Sequence, residues 1–468
     1  MQSPFISKVR VEGMHGQFDI EIKLEAGLNV LYGQNGRGKT TLLHLIANAL
    51  ELDFDRFKHL RFDEITIDVS NGANLKILPV KEVGDVTVLL DDIELQWRES
   101  GTELVSSDRS LLRNALGNRP NYLPAFRSIL ERVRNDTFLQ ALTPQQQQEF
   151  DRIRVVEAQI IKGDGASPSR FGGRTDPTAL TAQKTLQCRQ WFGSFTPIIR
   201  YPSIGEVTEK METEFREAEL DSAAFERRMF SDFFVGTMRA LLSSRDLPSE
   251  QEVETLLQRI RAAVYEDDDA NSEFHGPQII HQLAQAVDSV AAEAARAGAA
   301  EKRVLRLYAE ILEKRGEVRR SSFEKIKKFE TAVNKFLDGK TLHIGEGGRY
   351  GRSRATYVES ENLHRHSLTS LSSGERQVLT MLFSASRLSA TSGAFLIDEP
   401  ELSLHVDWQR IVLSELMAQA GGRQIIACTH SPEVGADHLH SVQFFEPVPS
   451  RSRIEQDGSS DPLMDDAL

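Results

Sequence analysis

The stretch LYGQNGRGKTTLL, residues 31 to 43, joins an apolar strand pattern to a helix pattern. Within it, GQNGRGKT (33–40) has the spacing G-x-x-x-x-G-K-[ST] of a phosphate-binding loop, placed as required between strand and helix. Its glycines let backbone N–H groups surround phosphate oxygens at the positive end of the helix. We therefore expect Lys39 to reach the β- and γ-phosphates of a nucleotide and the Thr40 hydroxyl to ligate Mg²⁺. The alternative, a glycine-rich turn with a surface lysine, explains less of the pattern.

A second element, FLIDEPELSLH (395–405), supplies carboxylates after an apolar strand. The carboxyl ends of strands are where α/β sheets bind ligands. Asp398 suits Mg²⁺, directly or through water, and Glu399 suits a general base that polarises the attacking water. An apolar strand followed by Asp-Glu also occurs by chance, so this interpretation depends on its combination with the phosphate loop.

A third element, IIACTHSPE (425–433), places His430 just past another apolar strand. An isolated histidine in such a position is more often structural than catalytic. Beside the other two elements, a neutral imidazole at this sheet edge is suited to hydrogen-bond the γ-phosphate and to sense its loss. We therefore expect His430 to belong to the site.

The segment LSSGERQVL (371–379) reads locally as a helix start, because Ser372 and Glu375 have the S-x-x-E spacing of a capping box. An apolar run follows it. Local sequence leaves open whether Ser372, Ser373 and Gly374 serve only their own chain or also hold something outside it.

Composition narrows the class of protein. The 468 residues carry a net charge of −13, which argues against a protein that coats nucleic acid along its whole surface. A local basic patch lies between Lys302 and Lys340, and Glu/Lys pairs on a solvated helix face are the favoured explanation of it. Two cysteines, Cys188 and Cys428, predict buried thiols rather than disulfides. Without an apolar stretch of about 18 residues or a signal peptide, we expect a cytoplasmic protein without a membrane partner.

The order of patterns predicts an α/β fold in which a phosphate-binding core sheet and an antiparallel β-layer are interrupted by a compact helical insertion. Alternating strands at 65–80 and 85–97, with the turn signal Asn71-Gly72, form the β-layer. Heptads in the insertion are too short to predict an extended coiled coil. The predicted domains are an N-terminal half of the core (1–128), the helical insertion (129–338), a C-terminal half of the core (339–448) and a disordered acidic tail (449–468).

Together, the three elements and LSSGE resemble the ABC-type ATPases, in particular the branch that contains SMC, RecF and OLD-type proteins and the AAA15- and AAA21-like members. The resemblance covers the two ends of the chain and leaves the insertion unmatched. It implies an ABC ATPase head that uses ATP and Mg²⁺, with Glu399 and His430 catalytic and Thr40 and Asp398 at the metal. The residues that it implies for ATP binding are Gly33, Asn35, Gly36, Arg37, Gly38, Lys39, Thr40 and Thr41.

In that family LSSGE is the signature motif, which contacts ATP held by another subunit. The resemblance therefore implies a head-to-tail dimer, or a higher homo-oligomer, closed over ATP. The residues assigned to the signature are Ser372, Ser373, Gly374 and Glu375, and those of the D-loop, within ELSLH (401–405), are Ser403, Leu404 and His405.

One motif departs from the family pattern. The glutamine of the Q-loop is not evident after the β-layer, where NYLPAFRS (121–128) is similar instead to the Pro-x-x-Arg version of OLD-like relatives. Arg127 is the candidate functional group of this segment, and a structural salt bridge is the alternative. For the adenine contact, the turn HGQF (15–18) is the expected place.

The expected output is control of a partner. Few residues follow His430, too few for the TOPRIM nuclease domain of OLD-type proteins, and the insertion carries no HNH-like cluster. The chain thus resembles the ATPase subunits of bacterial anti-phage systems such as PARIS and Septu, which implies a separate effector such as a TOPRIM or HNH nuclease and a phage trigger protein. Two alternatives are a RecF- or SMC-like ATPase that binds DNA and a nucleotide-dependent scaffold with little turnover.

Overall fold

The computed structural model describes residues 4–80, 85–96, 105–130, 142–163, 177–242, 250–269, 299–345, 356–386 and 393–450. Most of the tail that was predicted to be disordered, residues 451–468, lies outside this range. Cys188 and Cys428 are free and buried, as predicted. In the part of the chain described, no helix combines the length and the apolar composition that a membrane crossing requires.

The core is a parallel sheet in the order β14-β3-β13-β12-β8. Its middle strands β12 and β13 are buried on both faces, which explains their continuous apolar sequences. Asp398 pairs with Cys428, so these two strands end level with each other. The strands are β3 (Leu28–Tyr32), β8 (Asn121–Leu123), β12 (Phe395–Asp398), β13 (Ile425–Thr429) and β14 (Val442–Phe444).

The predicted β-layer is confirmed as an antiparallel sheet in the order β15-β2-β1-β4-β5-β6-β7. Buried and half-buried residues alternate along β4, because one face of the layer packs inward. Gly72 has a φ of 91° in the turn between β4 and β5, a conformation that favours glycine. The strands are β1 (Ile6–Met14), β2 (Phe18–Lys23), β4 (Glu64–Val69), β5 (Asn74–Pro79), β6 (Val86–Leu90), β7 (Ile93–Glu94) and β15 (Val448–Pro449).

Helices surround the parallel sheet. The first helix, α1, follows β3 and packs on β8, β12 and β13, while α10 connects β12 to β13 as predicted. The helices of this part of the chain are α1 (Lys39–Glu51), α2 (Ser106–Leu116), α3 (Arg127–Leu130), α4 (Pro144–Gly163), α5 (Pro177–Phe192), α9 (Ser373–Ala385) and α10 (Val406–Ala420). Short 3₁₀ turns lie at Phe54–His59, Leu368–Ser370 and Ala436–Ser441.

The chain divides into two compact units. One comprises Met1–Ile204 with Leu371–Leu468, and the other Gly205–Ser370. The insertion was predicted at 129–338 instead, and that assignment as one domain stays a prediction. The bounds differ because α4 and α5 belong with the first unit, where Arg152 and Arg189 both pair with Asp53 at the end of α1.

The second unit is built on long helices, α6 (Ile204–Leu242), α7 (Glu250–Asp269) and α8 (Ala299–Asn334). Helices α6 and α8 run antiparallel, since Phe215 contacts Phe323 and Phe233 contacts Tyr308. The 39 residues of α6 span about 58 Å at 1.5 Å per residue, longer than the sequence patterns indicated. A small antiparallel sheet closes the unit, in the order β11-β10-β9, with β9 (Lys340–His343), β10 (Tyr357–Ser360) and β11 (Arg365–His366).

Candidate functional site

The phosphate-binding loop lies between β3 and α1 at the carboxyl edge of the parallel sheet. Gly36 and Gly38 have φ values of 75° and 95°, so the loop curls through conformations that favour glycine. Gly33 is required for another reason, because a Cβ there would lie 2.8 Å from the carbonyl oxygen of Phe445. Asn35 and Arg37 are exposed, and the first turn of α1 carries no acidic residue. The N-terminus of α1 is therefore suited to an anion.

Lys39 is folded into this loop. Lys39 is only 6% exposed to solvent, and its ammonium donates to the carbonyls of Gly33 at 2.6 Å and Gln34 at 2.9 Å. An ammonium group that donates to loop carbonyl oxygens beside a helix N-terminus can exchange these carbonyl oxygens for the oxygens of a bound phosphate. The geometry thus fits the role that the sequence predicts for Lys39.

Thr40 and Asp398 meet across the site. The Thr40 hydroxyl donates to Asp398 Oδ2 at 2.7 Å, while Asp398 Oδ1 is buried without a hydrogen-bond partner. Burial raises the pKa of the Asp398 carboxyl to about 6, against the lowering effects of the Thr40 hydrogen bond and of the Lys39 and Arg127 charges. A hydroxyl and an unsatisfied carboxylate oxygen are hard donors that fit Mg²⁺. Thr40 and Asp398 are therefore the candidate metal ligands. Among the described residues no cluster of three or more His, Cys, Asp or Glu side chains that could hold a metal ion is present.

Glu399 lies in a strained turn after β12. Its φ is 48°, a left-handed conformation that is uncommon outside glycine. The backbone N–H of Glu399 donates to the carbonyl of Cys428 at 2.8 Å, and its Oε1 lies 3.6 Å from Nδ1 of His430. The two residues predicted to be catalytic are therefore neighbours.

Glu401 organises the loop of His430, and sequence reasoning missed this residue. Its side chain is only 5% exposed, and Oε1 accepts from the Thr429 hydroxyl at 2.6 Å and from the backbone N–H groups of His430 at 3.0 Å and Ser431 at 3.2 Å. The same oxygen lies 3.2 Å from Nδ1 of His430. The position of Glu401, two residues beyond Glu399 at the end of a buried strand, was the signal available in the sequence.

Arg127 is located beneath the acidic turn. It is fully buried, and its guanidinium donates to backbone carbonyls of Asp398, Glu399 and Pro400. The salt-bridge alternative is not what the geometry shows, since these partners are carbonyls. Its predicted role as the Q-loop equivalent stays a prediction.

The turn expected near adenine lies close to the phosphate loop. Nε2 of His15 is 3.2 Å from the Thr41 hydroxyl, and His15 has a φ of 56°. Gly16 contacts the side chain of Arg61, which leaves no room for a Cβ atom in ordinary contact. His15 therefore borders the first turn of α1, and its contact with adenine stays a prediction.

The signature segment has an outer and an inner half. Ser372 and Ser373 are exposed, whereas Gly374 and Glu375 are buried. The capping box is confirmed, because Ser372 Oγ accepts from the Glu375 N–H at 3.3 Å and Glu375 Oε2 accepts from the Ser372 N–H at 2.6 Å. Only the two serines present side chains outward at the start of α9.

The signature also contacts the D-loop of its own chain. A Cβ on Gly374 would lie 2.9 Å from the carbonyl oxygen of Ser403, so glycine permits a close approach there. Ser403 is exposed with a φ of 62°, Leu404 is buried, and His405 caps α10 by accepting from the Asp407 N–H. The contact with Ser403 in the same chain is thus enough to explain why residue 374 is a glycine.

Comparison with protein families gives two matches. The AAA_21 family model, described as "AAA domain, putative AbiEii toxin, Type IV TA system", matches residues 215–437, and the AAA_23 model, described as "AAA domain", matches residues 8–220. Each match covers less than half of the chain. The chain is therefore similar to AAA-type ATPase domains over both ranges, which confirms the predicted resemblance at this level. The nearer likeness to PARIS and Septu subunits stays a prediction.

Solved structures give weak likenesses. The Smc head domain with an extended coiled coil bound to the C-terminal domain of ScpA, from Pyrococcus furiosus, has a TM-score of 0.39 and 13% identity over 97% of this chain and 99% of its own. The Smc head domain with a coiled coil and joint from Pyrococcus yayanosii has a TM-score of 0.35 and 15% identity over 93% of both chains. These scores are too low to carry an inference. No curated protein matches the sequence.

Proposed function

We propose that the chain binds ATP with Mg²⁺ on the loop 33–40 and hydrolyses it with Glu399 and His430. The hydrogen bond of 2.7 Å from Thr40 to Asp398 carries this proposal, because it joins two elements that lie 358 positions apart in sequence at one sheet edge. The similarity of residues 8–220 and 215–437 to AAA-type domains supports it.

The residues of the chain divide the chemistry among them. Lys39 exchanges loop carbonyls for β- and γ-phosphate oxygens, and the N–H groups of the loop hold the same oxygens. Thr40 and Asp398 would hold Mg²⁺, which when bound neutralises charge on the phosphates. Glu399 accepts a proton from the water that attacks the γ-phosphorus, while the bond to the β–γ bridging oxygen breaks and ADP leaves. His430, fixed by Glu401, contacts the γ-phosphate.

A second copy of the chain completes the site in this proposal. Exposed Ser372 and Ser373 stand at the N-terminus of α9, where the helix dipole and free N–H groups favour an anion. A head-to-tail pair places each such end on the γ-phosphate held by its partner, and two sites form together by symmetry. ATP is then part of the interface, and hydrolysis weakens it.

The output that we propose is control of a separately encoded effector, such as a TOPRIM or HNH nuclease, in bacterial anti-phage defence, with a phage protein as the trigger. The description of the AAA_21 family, which refers to a toxin and a type IV toxin–antitoxin system, supports a role in a module with an effector. Nucleotide-driven closure of the heads would move the helices α6 to α8 and whatever they hold.

The first experiment measures ATP hydrolysis and binding. Lys39→Ala is expected to lose ATP binding and turnover, and Lys23→Ala, an exposed lysine of β2, is the matched control with wild-type behaviour. A Lys39→Ala protein that hydrolyses ATP at the wild-type rate would show that the loop is not the nucleotide site.

The second experiment measures mass by light scattering with and without ATP. Glu399→Gln should trap an ATP-bound dimer or larger assembly, because binding continues without hydrolysis. Adding Ser372→Arg should abolish this increase and leave ATP binding intact, whereas Ser107→Arg at the exposed start of α2 should not. An unchanged mass for Glu399→Gln with ATP contradicts closure around nucleotide.

A DNA-binding role is the second candidate, because Arg320, Lys327 and Lys328 are exposed on α8. Neutralising these residues together with Arg319 should remove salt-dependent DNA binding if the heads act on DNA. Absence of DNA affinity at low salt would favour effector control. A scaffold with little turnover would instead show ATP-dependent assembly and no phosphate release.

A further inference from the structure

The segment before the helical region contains a buried cation that the proposed chemistry does not use. Arg127, the first residue of α3, has 0% exposure. Its Nη1 donates to the carbonyls of Pro124 at 3.3 Å and Asp398 at 3.1 Å, and its Nη2 donates to those of Glu399 at 3.0 Å and Pro400 at 3.2 Å. One guanidinium thus binds three consecutive carbonyls of the acidic turn.

The charge of Arg127 is held by dipoles. The hydrogen bonds of its guanidinium go to backbone carbonyls, and no carboxylate among the described residues forms an ion pair with it. Burial lowers its pKa, so the site penalises the charge. Burying a charge without an ionic partner is costly, and an apolar side chain of similar volume would avoid that cost. The reason for a cation at this position therefore lies in the backbone carbonyls that it binds.

What it binds is the backbone that presents Glu399. This residue has a φ of 48°, which non-glycine residues adopt only when their surroundings enforce it. Pro400, the next residue, has no N–H to stabilise the turn. Arg127 supplies three N–H donors to the carbonyls of this turn, and so restrains the backbone that carries the Glu399 carboxylate.

We propose that Arg127 is a positioning residue for hydrolysis: its guanidinium holds the Asp398–Pro400 turn so that Glu399 faces the attacking water. The proposal rests on the proposed ATPase activity. It also assigns a route for regulation, because Arg127 and Pro124 belong to the segment that leads from β8 into α3. A displacement of this segment releases three carbonyls of the turn and slows turnover without touching the nucleotide.

The test separates turnover from binding. Arg127→Met should lower kcat by about tenfold or more, equivalent to about 1.4 kcal/mol of activation free energy. The affinity for a fluorescent ATP analogue should stay within about threefold, because the phosphate loop is not changed. Arg127→Lys, which keeps the charge but not the planar fork, should show the same separation. For Arg127→Ala, added guanidinium at non-denaturing concentration should restore part of kcat.

The matched control is Arg423, which also donates to backbone carbonyls, those of Ala385, Ser386 and Ala420. It precedes β13 and so lies at the opposite edge of the sheet from Glu399. Arg423→Met and Arg423→Lys should leave kcat and affinity unchanged in folded protein, and guanidinium should not raise their rates.

The outcomes are distinguishable. A folded Arg127→Met or Arg127→Lys protein with wild-type kcat overturns the proposal, and so does an equal loss of kcat and affinity. If Arg127→Met does not fold, Arg127→Lys and the guanidinium rescue of Arg127→Ala decide. A wild-type protein without ATPase activity would refute the proposed function itself, whereas active wild type with unaffected Arg127 variants refutes only this inference.

Discussion

Replacing Asp398 by asparagine should stabilise the protein at neutral pH while it abolishes Mg²⁺-dependent hydrolysis. The carboxyl is 1% exposed, and burial raises its pKa from an ordinary 3.8 to about 6. A difference of this size corresponds to about 3 kcal/mol that the ionised carboxylate costs the folded state. The Thr40 hydroxyl can still donate to the amide oxygen of asparagine, so one contact is kept.

The amide has its own cost. Asp398 Oδ1 has no hydrogen-bond partner, and an NH₂ group in its place would be a buried donor without an acceptor, at about 1–2 kcal/mol. The net gain for Asp398→Asn is therefore about 1–2 kcal/mol at pH 8. Below about pH 3 the carboxyl is protonated in both states, so only the cost of the amide is left and the variant is the less stable protein.

The sign of the pH dependence follows from proton binding. Between about pH 4 and pH 6 the folded Asp398 binds more protons than the unfolded one, so wild-type stability falls as pH rises through this window. The Asp398→Asn variant lacks this fall in stability, because asparagine does not titrate. The difference in free energy of unfolding, variant minus wild type, should therefore increase by about 3 kcal/mol from pH 3 to pH 8, and most of this increase should fall between pH 4 and pH 6.

Urea unfolding in EDTA, without nucleotide, measures this difference at several pH values. Asp53→Asn is a control of opposite sign: Asp53 is buried among Arg56, Arg152 and Arg189, and these arginines lower its pKa against the effect of burial. That variant should be destabilised at neutral pH, and its deficit should shrink as pH falls. If the difference in free energy of unfolding between Asp398→Asn and wild type does not change between pH 4 and pH 8, Asp398 is not a desolvated carboxylate suited to a cation.

Other perturbations test the neighbouring contacts. Glu401→Ala should cost about 3 kcal/mol of stability, because the donors of the His430 loop are left without their acceptor, and it should lower kcat more than ATP affinity. Glu401→Gln keeps one oxygen acceptor, so its stability and kcat should lie between those of Glu401→Ala and wild type. Equal kcat for all three proteins would contradict the role of Glu401 in holding the His430 loop. Arg200→Met should cost about 3–5 kcal/mol in urea unfolding, because it leaves Glu51 and Glu157 buried without the cation that they share, and adding Glu51→Leu should recover the part of the loss that comes from Glu51. A cost below about 1 kcal/mol would show that the pair is solvated.

Much of the core was accessible from local pattern. The apolar runs before Asp398 and His430 predicted parallel strands, and the two strands do lie side by side with their carboxyl ends level. The alternation at 65–80 and 85–97 predicted the antiparallel layer, since one face of it is buried. Periodicity and turn chemistry act over a few residues, so a single sequence is enough to detect them.

The long helices were harder to predict. The pairing of α6 with α8 depends on scattered contacts such as Phe215 with Phe323 and Glu226 with Arg315, which do not form sustained heptads. The attachment of α4 and α5 to the first unit depends on the buried ion pairs of Arg152 and Arg189 with Asp53. Partners that lie 89 or more positions apart leave no local periodic signal.

Motif chemistry was thus legible in the residues themselves, as predictions of a phosphate loop, a metal carboxylate and a general base and as a helix cap that the structure confirms. The residues that support this chemistry could not be identified from the sequence. Arg127 read equally as a nucleotide contact or a salt bridge, and Glu401 as one acidic residue of a loop, until folding brought the first against carbonyls 271 to 273 positions away and the second against the His430 loop. The physical reason is that such residues act on backbone groups, which every sequence offers at every position, and only packing selects which of them a buried donor or acceptor will meet.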